Sequence, residues 1–215
     1  MRIDNEKIKK SIIYILAFIL PIIIIASVFL LRKIGINSNR TILFSDMFSQ
    51  YIGYFGKLKD VLSSDGSIFY AFNKSIGGNT IGLFAYYLAS PLNLIILLFP
   101  KELLANAILT IYLIKIGICS LTLAIYINKV YKKNDYSVLI FSLCYGLMSY
   151  NIVFHMNVMW IDGVMLLPLI ALGIENIINK NKYKLYIASL FLAIISNYYI
   201  AYMICIFSVL YFIYC

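Results

Sequence analysis

From residue 11 onward the chain consists of long apolar runs separated by short polar breaks. A bilayer core about 30 Å thick needs roughly 20 apolar residues in a helix. Residues 11–31 supply one such run behind a basic start of Arg2, Lys7, Lys9 and Lys10. A cleaved signal peptide would have a shorter apolar core and a small-residue cleavage site, so this run reads as an uncleaved first span with Pro21 inside it. Runs at 103–128, 136–154, 160–178 and 185–215 read as further spans. The last is long for one helix and is expected to bend near Ser196-Asn197. Residues 32–102 separate the first two spans; they begin polar, become aromatic and Gly-rich, and end in a shorter apolar stretch at 81–99.

Charge gives these runs a direction. Lys129, Lys132 and Lys133 share one short connection and Lys180, Lys182 and Lys184 another, whereas residues 155–159 between them have no Lys or Arg. The positive-inside rule puts both lysine loops and the N-terminus in the cytoplasm and residues 155–162 outside. An even number of crossings then precedes Lys129, and residues 11–31 and 103–128 already make two. The stretch at 81–99, with Pro91 and Pro100, is therefore expected to be interfacial or re-entrant inside an outer loop of residues 32–102. The fold expected is all-α and polytopic, a single transmembrane domain over 1–215. Because the chain ends within an apolar run, it is expected to be the N-terminal part of a longer protein.

Composition narrows the classes. Of 215 residues 63% are hydrophobic and 13% charged, and mean hydropathy is +0.91. Soluble domains carry about 25% charged residues, so a soluble globule is excluded, and so is a disordered chain, which needs low hydrophobicity. The excess of 18 Lys+Arg over 9 Asp+Glu sits largely between spans and reports orientation, not a nucleic-acid partner. Cys119, Cys144, Cys205 and Cys215 lie in apolar runs without CxxC spacing and read as packing residues.

Acids are scarce, so their positions carry information. Asp46, Asp60 and Asp65 fall in the outer loop and Asp162 at the outer end of a span, whereas Asp4, Glu6, Asp135 and Glu175 lie near the cytoplasmic face. Asp46, with Gln50 and Tyr51 just after it, reads either as a general base beside apolar surface or as a helix N-cap. Asp162 follows His155, Asn157 and Trp160, the chain's one His and one Trp among them, and reads as pairing with a lysine or as lining a cleft. His155 reads as a proton or phosphate contact or as a solvated residue, and Trp160 as an interfacial anchor. Lys115 lies mid-span, where a charge costs roughly 2.5–3.5 kcal/mol on insertion scales; it requires a partner, a wet cavity or an anion such as a lipid phosphate. Gly77-Gly78-Asn79 reads as a turn or as a phosphate approach. No Walker loop, Rossmann fingerprint, HExxH or nucleophile elbow is present.

The runs Tyr86-Tyr87-Leu88-Ala89-Ser90-Pro91-Leu92-Asn93, Leu98-Phe99-Pro100-Lys101-Glu102, Asn157-Val158-Met159-Trp160-Ile161-Asp162 and Ser196-Asn197-Tyr198-Tyr199 resemble the bacterial YfhO membrane-protein family, together with residues 67–73, 77–79 and 113–117. The resemblance runs from about Phe44 to the end. It implies a GT-C-type glycosyltransferase of the bacterial plasma membrane that moves a sugar from a polyprenyl-phosphate carrier to lipoteichoic acid or another wall polymer. It also implies a catalytic acid in the first outer loop and a second in the next, the places of Asp46 and Asp162. Lys115, His155, Asn157, Gln50, Tyr51 and Asn79 are the expected substrate contacts. Asp46 is not part of an Asp-x-Asp pair, so the requirement for a divalent cation is left open. Two other readings stand beside this one: a transporter or flippase of lipid-linked sugars, and a non-catalytic assembly partner.

Overall fold

The computed structural model describes residues 2–35, 38, 40–63, 66–72 and 76–215, with side chains from residue 6 onward. Asp65, Asn73 and the side chains of Arg2 and Asp4 lie outside the described residues. Helix α1, Arg2–Leu31, is followed by a π-helical turn, Met47–Tyr51, that runs into α2, Ile52–Leu62. A short hairpin pairs β1, Tyr70–Ala71, with β2, Gly78–Asn79. Gly77 turns it at φ +101°, a conformation a side chain resists. Of the Gly77-Gly78-Asn79 run, Gly77 leads into the strand that Gly78 and Asn79 form, and Asn79 Oδ1 accepts from the Ile81 N–H at 2.7 Å.

Helix α3, Ile81–Leu83, widens into a second π-helical turn, Phe84–Leu88, and a 3-10 helix, Pro91–Leu98, leaves it at 87°. Pro91 enforces the break, because the residue before a proline is driven out of helical geometry; Ser90 sits at ψ 128°. With rises of about 1.5 and 2.0 Å per residue, the two perpendicular arms together reach only about 20 Å, short of a bilayer core of about 30 Å.

The bundle proper follows: α4, Leu104–Tyr131; α5, Tyr136–Gly146; α6, Ser149–Val153; α7, Ile161–Lys180; α8, Lys184–Ser196; α9, Tyr198–Tyr214. Among the described residues four helical segments are long and apolar enough to cross a membrane: Glu6–Leu31, Lys101–Tyr131, Tyr136–Val153 and Ile161–Lys180. Helices α1 and α4 run antiparallel, with Tyr14 donating to Asn128 Oδ1 at 2.9 Å near one end and Phe29 against Tyr112 near the other. Gly117 permits this approach, since a Cβ there would lie 2.8 Å from the Phe18 carbonyl oxygen. The core runs between α4 and α7 through Ile108, Ile111, Ile116, Ile161 and Ile170.

Two helix breaks are closed by the same device. A helix end leaves carbonyl oxygens without partners. Asn93 Nδ2 donates to the Tyr87 and Leu88 carbonyls, and Asn151 Nδ2 donates to those of Tyr145 and Gly146.

The expected last span, 185–215, is not one helix. Gly173 packs against Tyr186 and Gly163 against Ile200, yet Tyr211 donates to Glu175 Oε1 at 2.9 Å. The chain therefore climbs α8, reverses at Asn197 and returns along α7 as α9. Asn197 makes the reversal: Oδ1 caps the Ile200 N–H at 2.9 Å, and Nδ2 donates to the Tyr86 carbonyl at 2.8 Å. An apolar run carries no sign of reversing, because both arms are equally greasy.

Candidate functional site

Lys115 and Asp162, both singled out in the sequence, meet inside the bundle. Lys115 Nζ donates to Asp162 Oδ2 at 2.7 Å and to the Val158 carbonyl at 3.0 Å, and Ser90 Oγ donates to Asp162 Oδ1 at 2.8 Å. The side chains of Lys115 and Asp162 are 0% and 1% exposed. Each element contributes for a reason. Helix α4 carries the lysine through the core, α7 begins beside it, and the break at Ser90-Pro91 leaves a hydroxyl free to reach the carboxylate. In an apolar interior such a pair stands only because each charge meets an opposite charge and a further hydrogen bond. The arrangement joins α4, α7 and the bent element at one point, and neither charge faces an open surface.

A tyrosine cluster lies beside it, where the two π-helical turns face each other. Tyr51 and Tyr87 approach with centroids 5.0 Å apart, Tyr54 and Tyr87 at 5.1 Å, and Tyr86 and Tyr87 at 4.6 Å. Tyr51 donates to Asn157 Oδ1 at 3.0 Å. Burial, then the neighbouring Tyr87 and Asp46, push the Tyr51 phenol above its ordinary value, which keeps it a neutral donor. Trp160 is half-buried, and its Nε1 donates to the Tyr86 hydroxyl at 3.0 Å. Tyr198 and Tyr199 complete the cluster at 6.0 Å from Tyr86.

Asp46 is exposed at the start of the first π-helical turn and makes no side-chain cap bond. The cap reading of Asp46 is thus not what holds this turn. The carboxylate stays open beside Tyr51 and Tyr87. Asp46 and Asp162 are not bonded to each other; what joins them is the bent element, with Tyr87 near the first and Ser90 on the second. Of the other expected contacts, Asn157 is buried as the acceptor of Tyr51, and Asn79 is an exposed cap. His155 is half-buried against Tyr112, with Nδ1 3.0 Å from the Ile152 carbonyl, which puts its proton on Nδ1. Gln50 is exposed and borders a cavity of about 320 Å³ between α2, the hairpin and α3. The sequence did not single out that cavity or Lys57 within it, because nothing in a run of loop lysines distinguishes one that has no partner among the described residues. Among the described residues no three His, Cys, Asp or Glu side chains gather as metal ligands would.

Fold and site together define an all-helical, multi-pass membrane protein with a loop-built cap over a buried ion pair. The family model described as bacterial membrane protein YfhO matches residues 17–215, and the chain belongs to that family. No curated protein and no solved structure matches it.

Proposed function

We propose that the protein is a GT-C-type membrane glycosyltransferase that moves a sugar from a polyprenyl-phosphate carrier to an acceptor outside the membrane, such as lipoteichoic acid or another wall polymer. The N-terminus and the two lysine loops then lie in the cytoplasm, with residues 32–102 outside. The observation that carries the reading is Asp46: an open carboxylate in the first loop, with no capping bond, beside neutral tyrosines. Asp46 takes the proton of an acceptor hydroxyl as its oxygen bonds to the anomeric carbon. The bond from that carbon to the phosphate oxygen breaks, and the electron pair leaves with the carrier. Asp162 serves as a positioning residue: through Lys115 and Ser90 it fixes the bent element that carries Tyr86 and Tyr87. Gln50 and His155 face the surfaces where the substrates approach, while Tyr51, Asn157 and Asn79 hold the frame.

The test is sugar transfer from a polyprenyl-phosphate donor in membranes, with and without Asp46→Asn. A missing general base lowers the rate by about 100-fold or more. Undiminished transfer at equal expression refutes the assignment. A flippase is the second reading, favoured by a broken helix beside an intramembrane ion pair. Lipid movement across the bilayer without donor consumption would establish it.

A further inference from the structure

The cavity between α2, the hairpin and the α3 arm has a chemistry of its own. Ser49, Gln50, Gly53, Tyr54, Lys57 and Leu58 line one wall. Their spacing follows the helical repeat, so they form one face of the π turn and α2. Opposite them stand Ile68 and Ala71 of the hairpin and Leu83, Phe84 and Leu88 of the α3 arm. No Asp or Glu is among the described lining residues.

Lys57 is the one charge in that lining. Its neighbours on the loop are engaged: Lys59 donates to the carbonyls of Ile96 and Phe99, and Lys101 pairs with Asp60. Lys57 has no hydrogen bond or ion pair among the described residues. Two other donors in the lining have no acceptor among the described residues. The Ser67 oxygen accepts from the Phe69 N–H at 3.1 Å, which leaves its own proton to give, and Gln50 carries an unengaged amide. The lining also includes the apolar side chains of Leu58, Val61, Leu83, Phe84 and Leu88. A half-buried ammonium with spare neutral donors and no carboxylate suits an oxyanion. The apolar wall suits a hydrocarbon joined to that anion.

We infer that this cavity binds the phosphate of an amphiphile at Lys57, with the first part of its chain against Leu83, Phe84 and Leu88. The inference moves the anion contact away from Lys115, which Asp162 already neutralises. It goes beyond glycosyl transfer, since it concerns binding and holds for a resident phospholipid as well as for a donor.

The experiment is a binding titration of the purified protein in neutral detergent, with three probes: a polyprenyl monophosphate, the matching polyprenol, and phosphatidylglycerol. Lys57→Gln weakens binding of the phosphate-bearing probes by about tenfold or more, the loss of one charge-assisted bond, while Lys57→Arg retains it. Polyprenol binds weakly and is indifferent to both changes. Gly53→Leu tests the cavity itself, because Gly53 lines it and a Cβ there meets no atom within 4 Å; it weakens both lipids. Competition between the two phosphate-bearing probes identifies which is the natural occupant. Equal binding by wild type and Lys57→Gln at unchanged melting temperature overturns the inference, as does polyprenol binding as tightly as its phosphate. Loss of binding in Lys57→Gln, alongside undiminished transfer in Asp46→Asn, leaves the site standing and removes only the catalytic reading.

Discussion

Replacing Lys115 by Met keeps the length and most of the apolar volume of the side chain but removes the ammonium. Asp162 Oδ2 then loses its partner at 2.7 Å, the Val158 carbonyl loses a donor at 3.0 Å, and Ser90 alone remains on the carboxylate. Stranding one member of a buried pair costs about 3–5 kcal/mol, and Asp162→Leu, which strands the lysine, costs a similar amount. Removing both charges together leaves no stranded charge. Only the Ser90 hydroxyl and the Val158 carbonyl are left short, at about 1–3 kcal/mol each. The double variant is thus expected to lose well under the sum of the two single losses, with a coupling of several kcal/mol. Unfolding in mixed micelles of rising denaturing-detergent fraction measures this. Trp160 is the natural reporter, as the chain's single tryptophan two residues before Asp162 and bonded to Tyr86. Losses that add to within about 0.5 kcal/mol would falsify the mutual compensation argued here.

Two further predictions concern packing and pH. A Cβ at Gly173 would lie 2.6 Å from the Tyr186 Cα and 2.7 Å from its nitrogen. Because backbone cannot step aside, Gly173→Ala parts α7 from α8 at about 1–3 kcal/mol, read as a lowered melting temperature; a change of no consequence would refute the close approach. Hydrogen bonds from the Ser137 hydroxyl and N–H hold the Asp135 carboxyl below its ordinary value of 3.8. A depressed folded value stabilises above the unfolded pKa and ceases to do so as pH falls through the folded one. The stability difference between wild type and Asp135→Asn therefore narrows below about pH 4 in a pH-stepped melting series, and a difference independent of pH would exclude the cap.

Much of the bundle was legible in the sequence. Residues 11–31 and 160–178 are apolar enough to declare α1 and α7 without help, and Pro91 announced the break at Ser90. The α8–α9 reversal was hidden because only Asn197 marks it, and one polar residue in an apolar run reads as a bend as readily as a turn. Lys115 and Asp162 were each noticed, one as a mid-span charge in need of a partner and the other as an acid at a span end. Asp162 reads as a candidate partner for a lysine and Lys115 as in need of one, but 47 positions separate them and the sequence does not match the two to each other. The signal was available: two opposite charges in apolar surroundings are each other's cheapest solution. Asp46 could not be separated from a helix cap by residue type, because cap and base demand the same carboxylate; only the missing cap bond parts them.

The two π-helical turns, Met47–Tyr51 and Phe84–Leu88, have a consequence for how this loop tolerates change. A π turn holds one residue more than the α turn it replaces, so each behaves as a helix that has absorbed an extra residue. That residue shifts the positions at its end by about 100° around the helix axis, and Tyr51 and Tyr87, with ring centroids 5.0 Å apart, each sit near the end of one such turn. Deleting one position from either turn would relax it to ordinary α-helix and swing one tyrosine away, although every aromatic side chain were still encoded. Relatives of this chain are therefore best compared by the spacing between Asp46 and Tyr54 and between Thr80 and Ser90. In this loop, length carries information that residue identity alone does not.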